Sequence, residues 1–266
     1  MPKFDWYQAT IDDYPRVITD ALMALPGAHD LQRGRGRLNY RESASIVSTD
    51  GHTLATVLHG GHNGAPNAFG TGEHAVAFAT IIRATWPDAH RVTRLDSAED
   101  VKMPFVSAHR ACQAIAAELG VKGDTRMPDD PQDGATYYMG SPSSRARIRC
   151  YEKGKQLRAQ GDPEADPDVV RFELQLRPND QLAKRKAASL DPGDAWGISP
   201  LARRVAGVFA HDVQRVVLRQ RLVSTYDRTH AAMLAQYGGH LAEMMARHGS
   251  WDLVGEQLGL DLEARL

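Results

Sequence analysis

From Val170 to Leu176 every second residue is apolar (Val170, Phe172, Leu174, Leu176), and Arg171, Glu173, Gln175 and Arg177 alternate with them. Period two is the signature of a strand, whose successive side chains face opposite ways, so one side of this segment belongs in a core and the other carries charge. The run RARIRCYEK upstream has the same period: Ile148 and Cys150 point one way, Arg147, Arg149, Tyr151 and Lys153 the other. A polar connection with Gly161, Pro163 and Pro167 joins the two runs and reads as the loop of a hairpin. That hairpin collects a phenol, a carboxylate and several cations on one surface, a constellation suited to phosphodiester chemistry.

At 266 residues the chain can bury a large core, as one large domain or two modest ones. No apolar run approaches the roughly 20 residues of a membrane span, and MPKFDWYQATIDD lacks the apolar stretch of a signal peptide, so a cytoplasmic protein without membrane contact is expected. Cys112 and Cys150 alone supply neither a zinc set nor a disulfide framework. The net charge of −1 argues against a general nucleic-acid scavenger, yet positive charge is concentrated locally. Between Pro142 and Arg158 six basic residues meet Glu152 alone, and between Lys184 and Arg221 eight meet Asp191, Asp194 and Asp212. Such surfaces, offset by acid elsewhere, fit engagement of a polyphosphate at one site.

Taken in order, Phe4–Ile11 reads as a first strand and Tyr14–Leu25 as a helix stopped by Pro26 and Gly27. Arg33–Arg37, RGRGR, reads as a basic loop, and Ser43–Thr49 with Thr53–His59 as a hairpin about Asp50-Gly51. His59 and His62 lie among glycines that fix no ligand geometry, so a turn with close backbone approach is the better reading there. His74–Trp86 is a core-facing helix. Arg91–Asp100 reads as a buried-edge strand, Ser107–Leu119 as a helix, and Val121–Ala135 as an acidic loop. Ser199-Pro200 starts a helix whose apolar stripe runs from Leu201 to Val217, with Arg203, Arg204, Arg215, Arg219 and Arg221 outside it. Two more helices follow, about Thr229–His248 and from Ser250 through Leu258.

A tyrosine hydroxyl has an ordinary pKa near 10, so as a nucleophile it needs cations or a base beside it. Arg147, Arg149 and Lys153 are the candidate cations for Tyr151. Charge on the attacked phosphate can be neutralised by a divalent cation held by carboxylates, and hard oxygen ligands favour Mg2+ or Mn2+. Asp96 and Glu173 are the candidate ligands. Asp96 and Asp100 lie about 13 Å apart in an extended strand, so at most one of them reaches a given ion.

The ordered blocks VTRLDSAED, TYYMGSPSS-RARIRCYEKG and VRFELQLRP resemble the replication initiation factor family, which includes rolling-circle initiators of small plasmids and filamentous phages. DWYQATI and Gly60-Gly61 look similar too, so the resemblance spans about Asp5 to Ala210. It implies a nicking and closing enzyme in which a tyrosine attacks the origin strand, leaving a 5′-phosphotyrosyl link and a free 3′-hydroxyl. Carried over, the Y-x-K element is Tyr151 with Lys153, the acid of R-x-D is Asp96, and the acid of R-F-E is Glu173. Tyr138 is the alternative nucleophile, and Arg94, Arg145, Arg147, Arg149 and Arg171 are the expected DNA contacts. The fold expected is α+β, a largely antiparallel sheet with packed helices over residues 1–197, followed by a helical region over 198–266 packed on it. The implied partners are single-stranded or hairpin origin DNA and host helicase and polymerase, and a homodimer is admitted. A relaxase of a mobile element, or a DNA-binding regulator that cuts nothing, would share the same residues.

Overall fold

The computed structural model describes residues 1–62, 64–218 and 225–264. They form two compact units, Met1–Arg219 and Gln220–Leu266. The first unit is α+β, its strands forming one ten-stranded sheet in which each pair of neighbours is antiparallel.

Its first half runs β1 (Lys3–Ile11), α1 (Pro15–Leu22), β2 (Asp30–Arg35), β3 (Glu42–Val47), β4 (Thr53–His59), β5 (Asn67–Thr71) and α2 (Ala75–Thr85). The second half repeats the plan with β6 (His90–Lys102), α3 (Phe105–Glu118), β7 (Gly123–Arg126), β8 (Thr136–Met139), β9 (Ala146–Tyr151), α4 (Lys153–Ala159), β10 (Val169–Leu176) and α5 (Gln181–Ala188). α6 (Pro192–Ala195) and α7 (Pro200–Val208) follow. The sheet order is β2-β3-β4-β5-β1-β6-β10-β9-β8-β7, so each half is a strand, a helix and a four-strand meander whose last strand pairs with the first. The halves meet at the antiparallel β1–β6 seam, and a half-turn about the sheet normal there exchanges them.

Alternation separates the two faces of the sheet. Tyr7, Ala9, Ile11, Val92, Leu95, Ile148, Cys150, Phe172 and Leu174 join residues of α1, α2, α3, α5, α6 and α7 in one core. Trp196, fully buried, donates its indole N–H to Ser97 Oγ at 3.0 Å, and Ser97 in turn donates to the Pro192 carbonyl at 2.6 Å, fastening α6 beneath β6. Cys112 and Cys150 are buried there as free thiols. The alternate residues face away from these helices. Arg171, on that open face, is itself buried: it donates to Asp100 at 2.5 and 2.6 Å and to Asp5 at 2.7 Å, clamping β10 to β6 and β1.

Several elements differ from expectation for identifiable reasons. Arg33–Arg35 of RGRGR belong to edge strand β2, which buries nothing and is held by backbone pairing to β3, so side-chain pattern could not reveal it, while Gly36 and Arg37 lie beyond its end. Gly123–Arg126, within the expected acidic loop, is the other, equally exposed edge strand. β6 is not an edge strand: it lies at the centre, paired with β1 and β10 along most of its length. The polar connection before β10 contains α4, so Lys153 opens a helix instead of extending β9. α7 stops at Val208 because Phe209 turns into the core, packing against Trp196 and Phe172 with ring centroids 5.0 and 5.3 Å away, and Ala210 takes φ 56°. Arg219 and Arg221 lie outside the described residues.

The second unit consists of α8 (Thr225–His248) and α9 (Trp251–Glu263). Gly249 joins them at φ 85°, and Ser250 Oγ caps α9 by accepting from Leu253 N. No helix among the described residues is long and apolar enough to cross a membrane.

Replacing Arg171 by Met leaves Asp5 and Asp100 without their cation and is expected to cost about 3 kcal/mol in urea unfolding, while Arg145→Ala on the exposed surface changes stability by less than about 0.5 kcal/mol. His90 is buried, its Nδ1–H donating to the Trp86 carbonyl and its Nε2 accepting from the Tyr7 hydroxyl at 2.9 Å. Burial holds it below the ordinary histidine pKa. Its stabilising contribution is therefore complete above about pH 6.5, the unfolded value, and is lost as pH falls through the folded value. Unfolding midpoints should drop between pH 7.5 and 5.5, and His90→Gln should reduce that drop.

Candidate functional site

Strand register assembles the site in rows across the open face. One row is Thr71, Trp6, Asp96, Gln175 and Arg147; the next is Ala98, Glu173, Arg149 and Tyr138; a third is Asp100, Arg171, Tyr151 and Thr136. The sequence-predicted Asp96 and Glu173 are thus diagonal neighbours on adjacent strands, within reach of each other's charge. Residues that the one-dimensional reading kept about eighty apart meet because β10 returns to β6.

Tyr151 is the last residue of β9, immediately before the start of α4. This junction is fixed by Gly154, where a Cβ would lie 1.7 Å from the Asp166 carbonyl oxygen, so only glycine lets α4 pack against the 166–167 backbone. The Tyr151 hydroxyl donates to Glu173 Oε2 at 3.4 Å, and Arg149 Nη2 donates to the same oxygen at 2.6 Å. Tyr151 is 5% and Glu173 1% exposed. Burial pushes the phenol above its ordinary pKa and the Glu173 charge adds to this, while Arg149 and Arg171 oppose it. Burial likewise pushes Glu173 up to about 7, Arg149 opposing, with Asp96 and Asp5 adding repulsion. Glu173 Oε1 is buried with no hydrogen-bond partner among the described residues.

Asp96, 1% exposed, is gripped by the forked Arg94 guanidinium, whose Nε lies 3.0 Å from Oδ1. Burial nonetheless raises its carboxyl above the usual range, against the pull of Arg94, Arg149 and Gln175. Lys153 stands in the first turn of α4, its amine donating to Gln156 Oε1 at 3.1 Å within the charge of Arg171, Asp5 and Asp100. Burial, then the charge of Arg171, lowers its amine below the ordinary lysine value.

The remaining candidates separate by their surroundings. Arg147 lies over the Tyr138 ring at 4.1 Å, and Arg126 lies over it at 4.9 Å, so Tyr138 is a half-buried phenol between two cations. Tyr137 points into the core, edge-on to His109 at 4.9 Å, and takes no part. Arg145 is exposed, whereas the Arg171 guanidinium is taken up by Asp5 and Asp100. Asp5, Trp6 and Phe69 also belong to the open face or its rim and were not singled out as site residues from sequence, whereas Gln175 was placed on the charged side of its strand and Arg37 in the basic RGRGR segment. The alternation of Trp6 and Gln8 within DWYQATI was the available signal for two of this region's residues.

The donor set can be tested against the divalent cation that the family resemblance implies. No group of three or more His, Cys, Asp or Glu among the described residues is arranged to hold a metal ion by itself. Two hard carboxylates on one face, one with an uncommitted buried oxygen, nevertheless suit an ion such as Mg2+, which keeps waters and is completed by substrate phosphate.

The family model described as replication initiation factor matches residues 90–190, the segment that contributes Asp96, Tyr151, Lys153 and Glu173. No curated protein matches the sequence. The solved structure of a rolling circle replication initiator protein from Geobacillus stearothermophilus aligns with a TM-score of 0.52 at 18% identity, covering 85% of this chain and 90% of that one. At that identity the likeness is one of fold. Over residues 90–190, the segment that builds the acid and phenol cluster, the chain is similar to the replication initiation factor family.

Proposed function

We propose that this protein starts rolling-circle replication by nicking one strand of an origin, with Tyr151 as nucleophile. The observation that carries the reading is the Tyr151 hydroxyl, 3.4 Å from Glu173 Oε2 and within the charge of Arg149 and Arg171, with Lys153 in the first turn of the helix that follows. Tyr151 Oη attacks phosphorus and its proton passes to Glu173 Oε2. The bond from phosphorus to the 3′ oxygen breaks, and the leaving oxygen takes a proton from Lys153, an amine whose burial favours giving one up. The products are a 5′-phosphotyrosyl link and a 3′-hydroxyl for a polymerase to extend. Reversal of the same steps closes the strand.

Asp96 and Glu173 are the residues that would hold Mg2+ or Mn2+, and the ion would supply charge neutralisation at the phosphate oxygens. The protein's own part is to keep both carboxylates close while Arg94 and Arg149 limit their repulsion. The phenol is covered in the structure, so DNA must reach it from the open face as the surrounding side chains yield. Tyr138 supports a second assignment of the nucleophile: it is more accessible and has Arg147 and Arg126 over its ring. Origin DNA, single-stranded or in a hairpin, is the proposed substrate.

The test is covalent capture of a labelled single-stranded origin oligonucleotide in Mg2+ or Mn2+. Tyr151→Phe should abolish the adduct and Tyr138→Phe should keep it; an adduct that survives Tyr151→Phe removes the assignment. Glu173→Gln and Asp96→Asn should lower cleavage by about 100-fold or more while binding of the oligonucleotide changes only a few-fold. Metal-independent binding with no cleavage by the unmodified protein would instead favour a regulator.

A further inference from the structure

Beside the acid cluster, the open face of the first half carries four flat groups in a column. Phe69 of β5 stacks on Trp6 of β1, with centroids 5.4 Å apart and planes 10° apart. The Arg37 guanidinium lies over Phe69 at 4.8 Å, and that of Arg94 over Trp6 at 4.0 Å. Register explains the column, because Trp6 faces Thr71 across the β1–β5 pair and Gln8 faces Phe69, which makes the two rings diagonal neighbours. Trp6 also faces Asp96 across the β1–β6 seam, so the column adjoins the proposed site directly.

Two concavities of about 530 and 410 Å3 meet at the rings. Arg35 and Arg37 border one, and Arg37, Arg94 and Arg177 border the other; no carboxylate lines either. Arg37 makes no ion pair among the described residues. It is aimed by a constrained turn: Leu38 and Asn39 have φ of 55° and 68°, and a Cβ on Gly36 would lie 2.3 Å from the Tyr40 carbonyl oxygen. Burial, followed by repulsion from Arg94, holds Arg177 below the usual arginine value, with Asp96 opposing and Arg147 adding to the repulsion.

We propose that this column is a nucleotide subsite for single-stranded DNA beside the scissile phosphate: the Arg37 guanidinium, which covers the nearly buried Phe69 ring, swings outward, a base takes its place on the Phe69–Trp6 pair, and Arg177 takes an adjoining phosphate. A duplex hides the faces of its bases, whereas an unpaired base offers one to aromatic and guanidinium planes. The choice of ligand rests on the proposed function, and the position of the subsite rests on the geometry above.

The experiment measures fluorescence anisotropy with a labelled 12-nucleotide oligo-dT and with the same oligomer carrying abasic sites. Trp6→Leu and Phe69→Leu should each weaken binding of oligo-dT about 10-fold, Trp6→Phe should restore most of it, and on the abasic oligomer all variants should match the unmodified protein. Arg177→Gln should reduce the slope of log K against log salt by about 0.7. Absence of oligo-dT binding by the unmodified protein, unchanged binding by Trp6→Leu, or an equal loss on both oligomers overturns the subsite. Urea midpoints of the variants identify any that merely fail to fold, and Trp6→Phe then stands in for Trp6→Leu with a smaller expected loss. Because nicking is scored separately by adduct formation, base-dependent binding without an adduct would remove the nickase reading alone. An adduct with base-independent binding would remove the subsite alone.

Discussion

Two carboxylates almost sealed from water, Asp96 and Glu173, lie diagonally across the β6–β10 pair, and the open face is arranged around making that juxtaposition tolerable. Isolated buried charges of one sign are costly, and each acid is accordingly matched with an arginine, Arg94 on the same strand and Arg149 on the next. The compensation is incomplete, since burial still raises both carboxyl groups and one Glu173 oxygen has no partner. Sites whose protonation is disturbed by burial and by a like charge are frequent in catalysis, and they invite a cation that the protein itself does not furnish. The Arg171 clamp lies one row away and differs in kind: its charge is absorbed by Asp5 and Asp100, and it holds strands together.

Much of this was legible in the chain. The alternation at Val170–Leu176 and at Arg147–Tyr151 assigned faces correctly, and with them the side of the sheet on which Tyr151, Arg149 and Glu173 stand. Register cannot be read from alternation, so the pairing of Gln175 with Asp96 and the nearness of Trp6 were invisible. Edge strands were missed for a related reason: β2 and β7 bury no side chains and leave no apolar signature. Lys153 was misplaced because period two continues formally through it, whereas the close approach at Gly154 turns the chain into a helix. The helix from Ser199 ended early because aromatic packing of Phe209 outweighed a continuing apolar stripe.

The two halves of the sheet share strand order and differ in what they display. The second half shows acids, arginines and phenols, and it contains the family segment. The first half shows hydroxyls, arginines and one aromatic stack. Each strand of the seam serves both, since Trp6 and Asp96 face one another across it.

Continuity of the ladder from β2 to β7 has a mechanical result. Backbone pairing links all ten strands, and even the β1–β6 seam, with its two register shifts, is paired from Lys3 to Ile11, so the first unit has no unpaired seam between its halves. Neighbouring strands rotate by roughly 20° each, and ten of them accumulate on the order of half a turn. A flexible polymer laid from the aromatic half to the phenol half must follow that helicoid, and the bending falls on the polymer because the plate beneath it is stiff.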